Sequence, residues 1–294
     1  IDLALHLEKG QTYTLLTTMD QDTVQRVQGN EISSQQTIGI GYTFAVTDVD
    51  DEATATVEVT FGPLSIQVDT GVGAFEYDSD NPPEKIPTPA ATMAALVGQS
   101  FTMKLTAKGE VAEVTGGDEL RDNVLEEIGK ALEQTNVPEG PGRERMLQDI
   151  EKQFSEDGLK EMMSKITAIF PDEPVAIGDS WTRTVAVATG FPAVVETTYT
   201  LVGRDDGIAT IEIDATAKPN PDAPPISMGP VTIEYKLEGT EKGTLKIDEA
   251  TGWYVEGTTT QNLKGEAILT GAPGQDGEVL IPMEVKSTTT FKTD

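Results

Sequence analysis

Long Thr- and Val-rich runs with period-two alternation constrain this chain more than any other feature, because residues two apart in an extended strand face the same side. In QTIGIGYTFAV, Ile38, Ile40, Tyr42, Phe44 and Val46 share one parity, while Gly39, Gly41, Thr43, Ala45 and Thr47 take the other. One face is core. The other is nearly flat, open to another backbone, a ligand or solvent. The alternation recurs in VTIEYKL (Val231, Ile233, Tyr235, Leu237) and in VLIPMEV (Val279, Ile281, Met283, Val285). LALHL near the start reads as a further strand, with Leu3, Leu5 and Leu7 on the core parity and His6 opposite. Such runs predict a broad antiparallel sheet with one buried face.

From Asp118 to about Phe170 the period changes to that of a helix. Leu120, Val124, Leu125, Ile128, Ala131 and Leu132 form one stripe, with Asp118 placed to cap the first turn. After the loop NVPEGPG, a second stretch carries Met146, Leu147, Ile150 and Phe154. A third, begun by Ser155 or Asp157, carries Leu159, Met162, Met163, Ile166, Ile169 and Phe170 and is expected to end at Pro171. The fold class is therefore mainly β (α+β): two related antiparallel β units, curved into sheets or half-barrels, with a helical insert between them. The units span residues 1–117 and 171–294, and the insert spans 118–170.

The two units carry the same landmarks in the same order. EKGQTY matches AIGDSW, and YTFAVTDVDDEATATVEV matches YTLVGRDDGIATIEI. The proline-rich DNPPEKIPTP and KPNPDAPP follow, and then the hairpins FTMKLTAKGEVAEV and GTLKIDEATGWYVEG. This order indicates an internal duplication with the helices inserted between the copies.

Composition narrows the function classes. Fifty acidic against 21 basic residues give a formal charge of −29. That field repels nucleic acid and anionic membranes. The absence of cysteine excludes disulfides, thiolate metal sites and thiol nucleophiles. No apolar run approaches the ~18 residues of a membrane-spanning helix, so no transmembrane segment is expected. The opening IDLALHL has no methionine, as expected of a mature product whose signal segment has been removed.

Ser180, in PVAIGDSW, stands in the Gly-Asp-Ser setting of some hydrolase nucleophiles, which need a base to take the serine proton. The only histidine is His6, and no Ser-x-x-Lys or G-x-S-x-G pattern occurs. GDSW reads instead as a turn feeding a strand anchored by Trp181, and no catalytic residue is assigned. Acidic turns at 48–52, 78–81 and 205–206 offer hard oxygen ligands, and the alternation Asp78, Asp80, Asn81 is the candidate Ca²⁺ site. The plainer reading is that Asp and Asn favour turns through local backbone bonding. No other cofactor is expected. Trp181 and Trp253 are expected as core anchors.

In the insert, Met146, Phe154, Met162, Met163, Ile166 and Phe170 form an adaptable apolar surface. They are the candidate ligand-binding set if a groove remains between helices and sheet, and core packing if it does not.

The Lys-Gly-x-x-Tyr start, the YDSDNP turn, the hairpin LTAKGEVAEVTG and above all PVAIGDSW resemble an uncharacterised family of bacterial exported proteins, commonly lipoproteins. The resemblance implies a periplasmic or cell-surface location and a lipid anchor carried outside this chain. The expected function is a non-enzymatic envelope protein that binds an apolar, lipid-like small molecule or an envelope protein partner. The alternatives are a carboxylate-dependent hydrolase of envelope glycans and a scaffold with no small ligand.

Overall fold

The computed structural model describes residues 1–27, 29–71, 73–134, 140–187, 191–223, 225–228, 231–271 and 277–293. The first half contributes β1 (Thr12–Val27), β2 (Asn30–Val49), β3 (Ala55–Asp69), β4 (Ala74–Asp78), the short α1 (Ala91–Ala94), β5 (Ser100–Leu105) and β6 (Val111–Thr115). Three helices follow: α2 (Gly117–Gln134), α3 (Pro141–Gln153) and α4 (Glu156–Thr167). The second half contributes β7 (Ser180–Val187), β8 (Ala193–Asp205), β9 (Ile208–Pro219), β10 (Ile226–Met228), β11 (Val231–Asp248), β12 (Tyr254–Thr270) and β13 (Val279–Lys292).

All the strands join one open antiparallel sheet, in the order β6-β5-β3-β2-β1-β13-β12-β11-β9-β8-β7, with β4 beside β3 and β10 beside β11. Laid flat at ~4.8 Å per strand, eleven strands would span about 50 Å. Yet Val111 and Val114 of β6, Leu201 of β8 and the partly buried Trp181 of β7 all pack into one cluster. The sheet is therefore curled, so that strands from both ends reach the same core.

The predicted alternation determines which face is inner. Phe44, Val46, Val57, Val59, Leu15, Leu245, Ile247 and Leu201 point into the curl and are buried, while their neighbours form a polar outer face. That outer face carries cross-strand ion pairs such as Lys246–Glu256 at 2.6 Å and Lys242–Asp214 at 2.7 Å. The flat parity of β2 admits a neighbouring strand: a Cβ on Gly41 would lie 3.0 Å from Pro63, where the β2–β3 register shifts.

The duplication is visible bond by bond. Gly10 N–H donates to Val46 O at 2.8 Å and Val46 N–H to Gln11 O at 2.9 Å; Gly178 donates to Leu201 at 2.7 Å and Leu201 to Asp179 at 3.1 Å. Register shifts follow both Val46 and Leu201, and shifts recur between Lys104 and Leu105 and between Lys246 and Ile247. Strands β1, β2, β3, β5 and β6 thus correspond to β7, β8, β9, β11 and β12. The identity of YTF with YTL misleads by two residues, because Phe44 pairs with Tyr13 as Tyr199 pairs with Trp181. An even offset leaves the faces unchanged.

Three expectations need correction. Asp118 does not precede α2 as its cap: the helix already begins at Gly117, and the Asp118 carboxylate accepts from Arg121 at 2.6 Å. Leu3–Leu7 is no strand: it makes one backbone bond to each hairpin tip, Leu5 N–H to Ala107 O at 2.7 Å and His6 N–H to Thr251 O at 2.8 Å. Its leucines are buried and His6 is exposed, as the parity predicted. The last helix stops at Thr167 rather than at Pro171, because the Thr167 hydroxyl bonds Gly109 O at 2.6 Å and docks the helix end on the first hairpin. Its start is as read, with the Ser155 hydroxyl accepting from Gly158 N–H at 3.2 Å.

Candidate functional site

The Ser180 hydroxyl shares a hydrogen bond with Thr200 Oγ1 at 2.8 Å across the exposed face of the β7–β8 pair. His6 lies at the far end of the N-terminal segment, bonded by its backbone to the second hairpin tip. Ser180→Ala should cost under ~1 kcal/mol, the scale of an exposed cross-strand pair, in chemical denaturation. Any hydrolysis found in the protein should be unaltered by it.

The tryptophans anchor the two copies. Trp253 is buried between Tyr13 and Phe44, with ring centroids 5.0 and 4.9 Å away, and donates to Thr14 O at 2.9 Å. Trp181 stacks on Tyr199 at 5.6 Å and donates to Ile169 O at 2.7 Å. Burial pushes the Tyr199 hydroxyl up to about 12, and the Tyr254 hydroxyl also upward where it donates to Ile166 O.

In the acidic turn, Asp78 Oδ1 accepts from Asp80 N–H at 2.9 Å and Oδ2 from the Asn81 amide at 3.2 Å. These two bonds hold its carboxyl below the usual carboxylate range. The turn is thus closed by its own carboxylate. Among the described residues no group of three or more Asp, Glu, His or Cys is arranged to hold a metal ion.

Of the insert residues, Phe154, Met163 and Phe170 are buried in the main core, and Met162 and Ile166 pack half-buried against it. Met146 lies on α3, and its side chain is outside the described residues. The structure brings Phe154, Met163 and Phe170 together with Leu120, Val124 and Ile128 of α2 and with the sheet. Helix and sheet interlock there.

Sequence reasoning missed a second feature. The inner face carries another apolar cluster, Ala193, Ala217, Leu237, Leu263, Met283 and Val285, at the far ends of β8 to β13. Its half-buried rim includes Phe191, Ile233 and Tyr235, and Phe191 meets Tyr235 edge-on at 5.1 Å. Ile233 and Tyr235 also line a cavity of about 210 Å³ among prolines 192, 219, 221 and 225.

Between the two clusters runs a cross-strand row in register: Thr197, Ala215, Glu241, Gln261, Ser287, Gln21 and Gln36. Only Ala215 lacks a polar side chain. Glu241 is half-buried and accepts from the Gln261 amide at 3.3 Å, and no cation pairs with it among the described residues. The signal was legible as an interruption: in VTIEYKLEGTEKGTLKI the apolar parity of Ile233, Tyr235 and Leu237 lapses at Gly239, Glu241 and Gly243 and resumes at Leu245. A second cavity of about 510 Å³ lies at the β2–β3–β4 edge and holds Asp69 and Glu76, but Asp69 is engaged in capping Gly71 N–H at 2.8 Å.

Fold and face together define an open, curled antiparallel sheet with a polar exterior, a helix-packed apolar end and a polar waist. The chain belongs to a family of unknown function, DUF6263, whose model matches residues 52–254. No curated protein matches it. Among solved structures it is similar to lipovitellin, from a structure of lipid–protein interactions, with a TM-score of 0.51 and 8% identity over 98% of this chain and 25% of that one. The chain thus spans about a quarter of that protein's length. Matches to OccK7 of Pseudomonas aeruginosa (TM-score 0.21, 6% identity, 97% of this chain and 99% of that one) and to OmpT, an outer membrane protein of Vibrio cholerae (0.15, 6%, 99% of each), carry no structural argument. No helix among the described residues is long and apolar enough to cross a membrane.

Proposed function

We propose that the protein is a non-enzymatic binder of an amphiphilic, lipid-like ligand, acting in the bacterial envelope. The ligand's apolar part lies over the second cluster, and its polar head meets the row at Glu241 and Gln261. The observation that carries this reading is the inner face itself. A packed interior would be largely apolar, whereas this one is divided by a polar row whose half-buried Glu241 carboxylate accepts from the Gln261 amide and meets no cation among the described residues. The shared fold with lipovitellin supports the reading at the level of architecture alone. An exported, lipid-anchored setting, as the sequence resemblance implies, is part of the proposal.

The earlier candidate groove between insert and sheet would have to open by displacing Phe154, Met163 and Phe170 from the core. The second cluster is buried as well, but a ligand could reach it past its half-buried rim, where Ile233 and Tyr235 line the cavity.

Native mass spectrometry on protein exported to a bacterial periplasm and purified without detergent, with and without chelator, tests the proposal. The expected result is an added mass that survives chelation and extracts into organic solvent. It should be lost in Ile233→Asp, weakened in Glu241→Gln and kept in Met162→Asp. Loss in Met162→Asp alone would return the site to the insert. A clean mass for the unaltered protein in both conditions would overturn the ligand reading in favour of a scaffold.

A further inference from the structure

The two ends of the sheet are protected differently. At β6, Lys160 of α4 donates to Ala112 O at 3.1 Å, and α4 lies along the strand. At β7, the bond from Leu201 N–H to Asp179 O sets the pairing phase. Trp181, Arg183, Val185 and Val187 therefore turn their backbone groups to β8, and Ser180, Thr182, Thr184 and Ala186 turn theirs outward. Among the described residues no other backbone segment meets them. The strand also lacks the usual edge devices. It has no proline, no register shift and no acidic residue, and its one charge, Arg183, is bound to Asp172 and to Phe170 O.

The internal repeat shows what such an edge accepts. β1 holds in the first half the place that β7 holds in the second, and β1 takes an antiparallel strand, β13, along Leu16–Gln25. β7 has no such strand, because the chain leaves β6, the counterpart of β12, for α2.

We propose that β7 pairs with β7 of a second copy of this chain, antiparallel about a two-fold axis at Thr184. That register sets Thr184 opposite Thr184 of the partner subunit, Thr182 opposite Ala186 of the partner subunit, Arg183 opposite Val185 of the partner subunit and Trp181 opposite Val187 of the partner subunit. The outward backbone groups of Thr182, Thr184 and Ala186 all find partners, and no like charges meet. Head-to-tail growth from β7 to β6 is blocked by α4, so association closes at two. Two chains of charge −29 repel, and added salt should strengthen the dimer by screening that repulsion.

The test is sedimentation velocity of the full chain across a concentration series at low and high sodium chloride. The expected result is twice the chain's mass at high concentration and salt. Thr184→Pro, which removes the central donor, and Thr184→Lys, which opposes two cations across the axis, should both return it to the monomer mass with an unchanged β signal. Edge strands tolerate proline where the N–H faces outward, so the monomer should still fold. A monomer under all conditions overturns the proposal, as does a dimer that persists in both variants. A monomer that instead binds a synthetic peptide of the sequence 279–292 at β7 makes the occupant a strand of another protein, and the second-copy assignment fails.

Discussion

Replacing Gly252 with alanine should destabilise the protein by about 3 kcal/mol or more, whereas the same change at Gly10 should cost only about 1. Both glycines hold a left-handed backbone, φ +71° at Gly252 and +86° at Gly10, so the conformational strain is shared. They differ in surroundings. Nothing lies within 4 Å of a Cβ built on Gly10, but one on Gly252 would collide with the carbonyl group of Ala4 and crowd Leu5. The collision expels the segment that carries Leu3, Leu5 and Leu7 into the core. Thermal unfolding should show a drop of roughly 6–10 °C for Gly252→Ala. Hydrogen exchange at the Leu5 and His6 amides, which bond Ala107 O and Thr251 O, should accelerate. Equal losses at both positions would mean that the segment does not brace the hairpin. Gly109 is the counterpart in the first copy, and its Cβ would collide with the Thr167 carbonyl, so Gly109→Ala should behave as Gly252→Ala does.

That pair of glycines shows what was legible and what was not. Alternation is a local property, so the strands with one buried face could be read, and Ile233, Tyr235, Leu237, Met283 and Val285 all face inward as their parity required. The repeat could be read because Ala-Thr-Val-Glu-Val and Ala-Thr-Ile-Glu-Ile place Ala55, Val57, Ala209 and Ile211 equivalently in the core. The YTF match failed because an even offset preserves every face, which leaves periodicity blind to it. LALHL was read as a strand because burial of alternate leucines looks the same whether the backbone joins a ladder or bridges two turns. The α4 terminus was set by Gly109, more than fifty residues away, and no local stop signal encodes that. Of the polar row only the parity lapse around Glu241 could be read locally; Gln21, Gln36, Gln261 and Ser287 are scattered in sequence, and only the register aligns them with it.

The insert methionines show how a residue type can be chosen well and its role still left open. Adaptable thioethers suit ligand surfaces and core gaps equally. The arrangement favours the second use at Met163, which is fully buried, while Met162 beside it is half-buried. Binding loss after a change at both positions would therefore not distinguish a lost site from a lost fold. The single changes do.

Met163→Asp should be the most damaging single change in the helices, on the order of 5 kcal/mol, because it deletes buried thioether packing and places an unpaired carboxyl in the core. Met162→Asp, with water in reach, should cost about 1 kcal/mol or less. Urea midpoints measure both. The pH dependence separates charge from packing. Burial raises the pKa of the introduced carboxyl in the folded state above its unfolded value of roughly 4. Below that value both states hold the proton and the charge contributes nothing; as pH rises from there to the folded-state pKa, the penalty grows, and above it the penalty is constant. Met163→Asn supplies the packing loss without titration. The gap in stability between the Asp and Asn variants should thus be wide at neutral pH and nearly close below about pH 4. A gap that does not change with pH would place the carboxyl in contact with water, and α4 would then be hinged off the sheet with the insert groove open to a ligand after all.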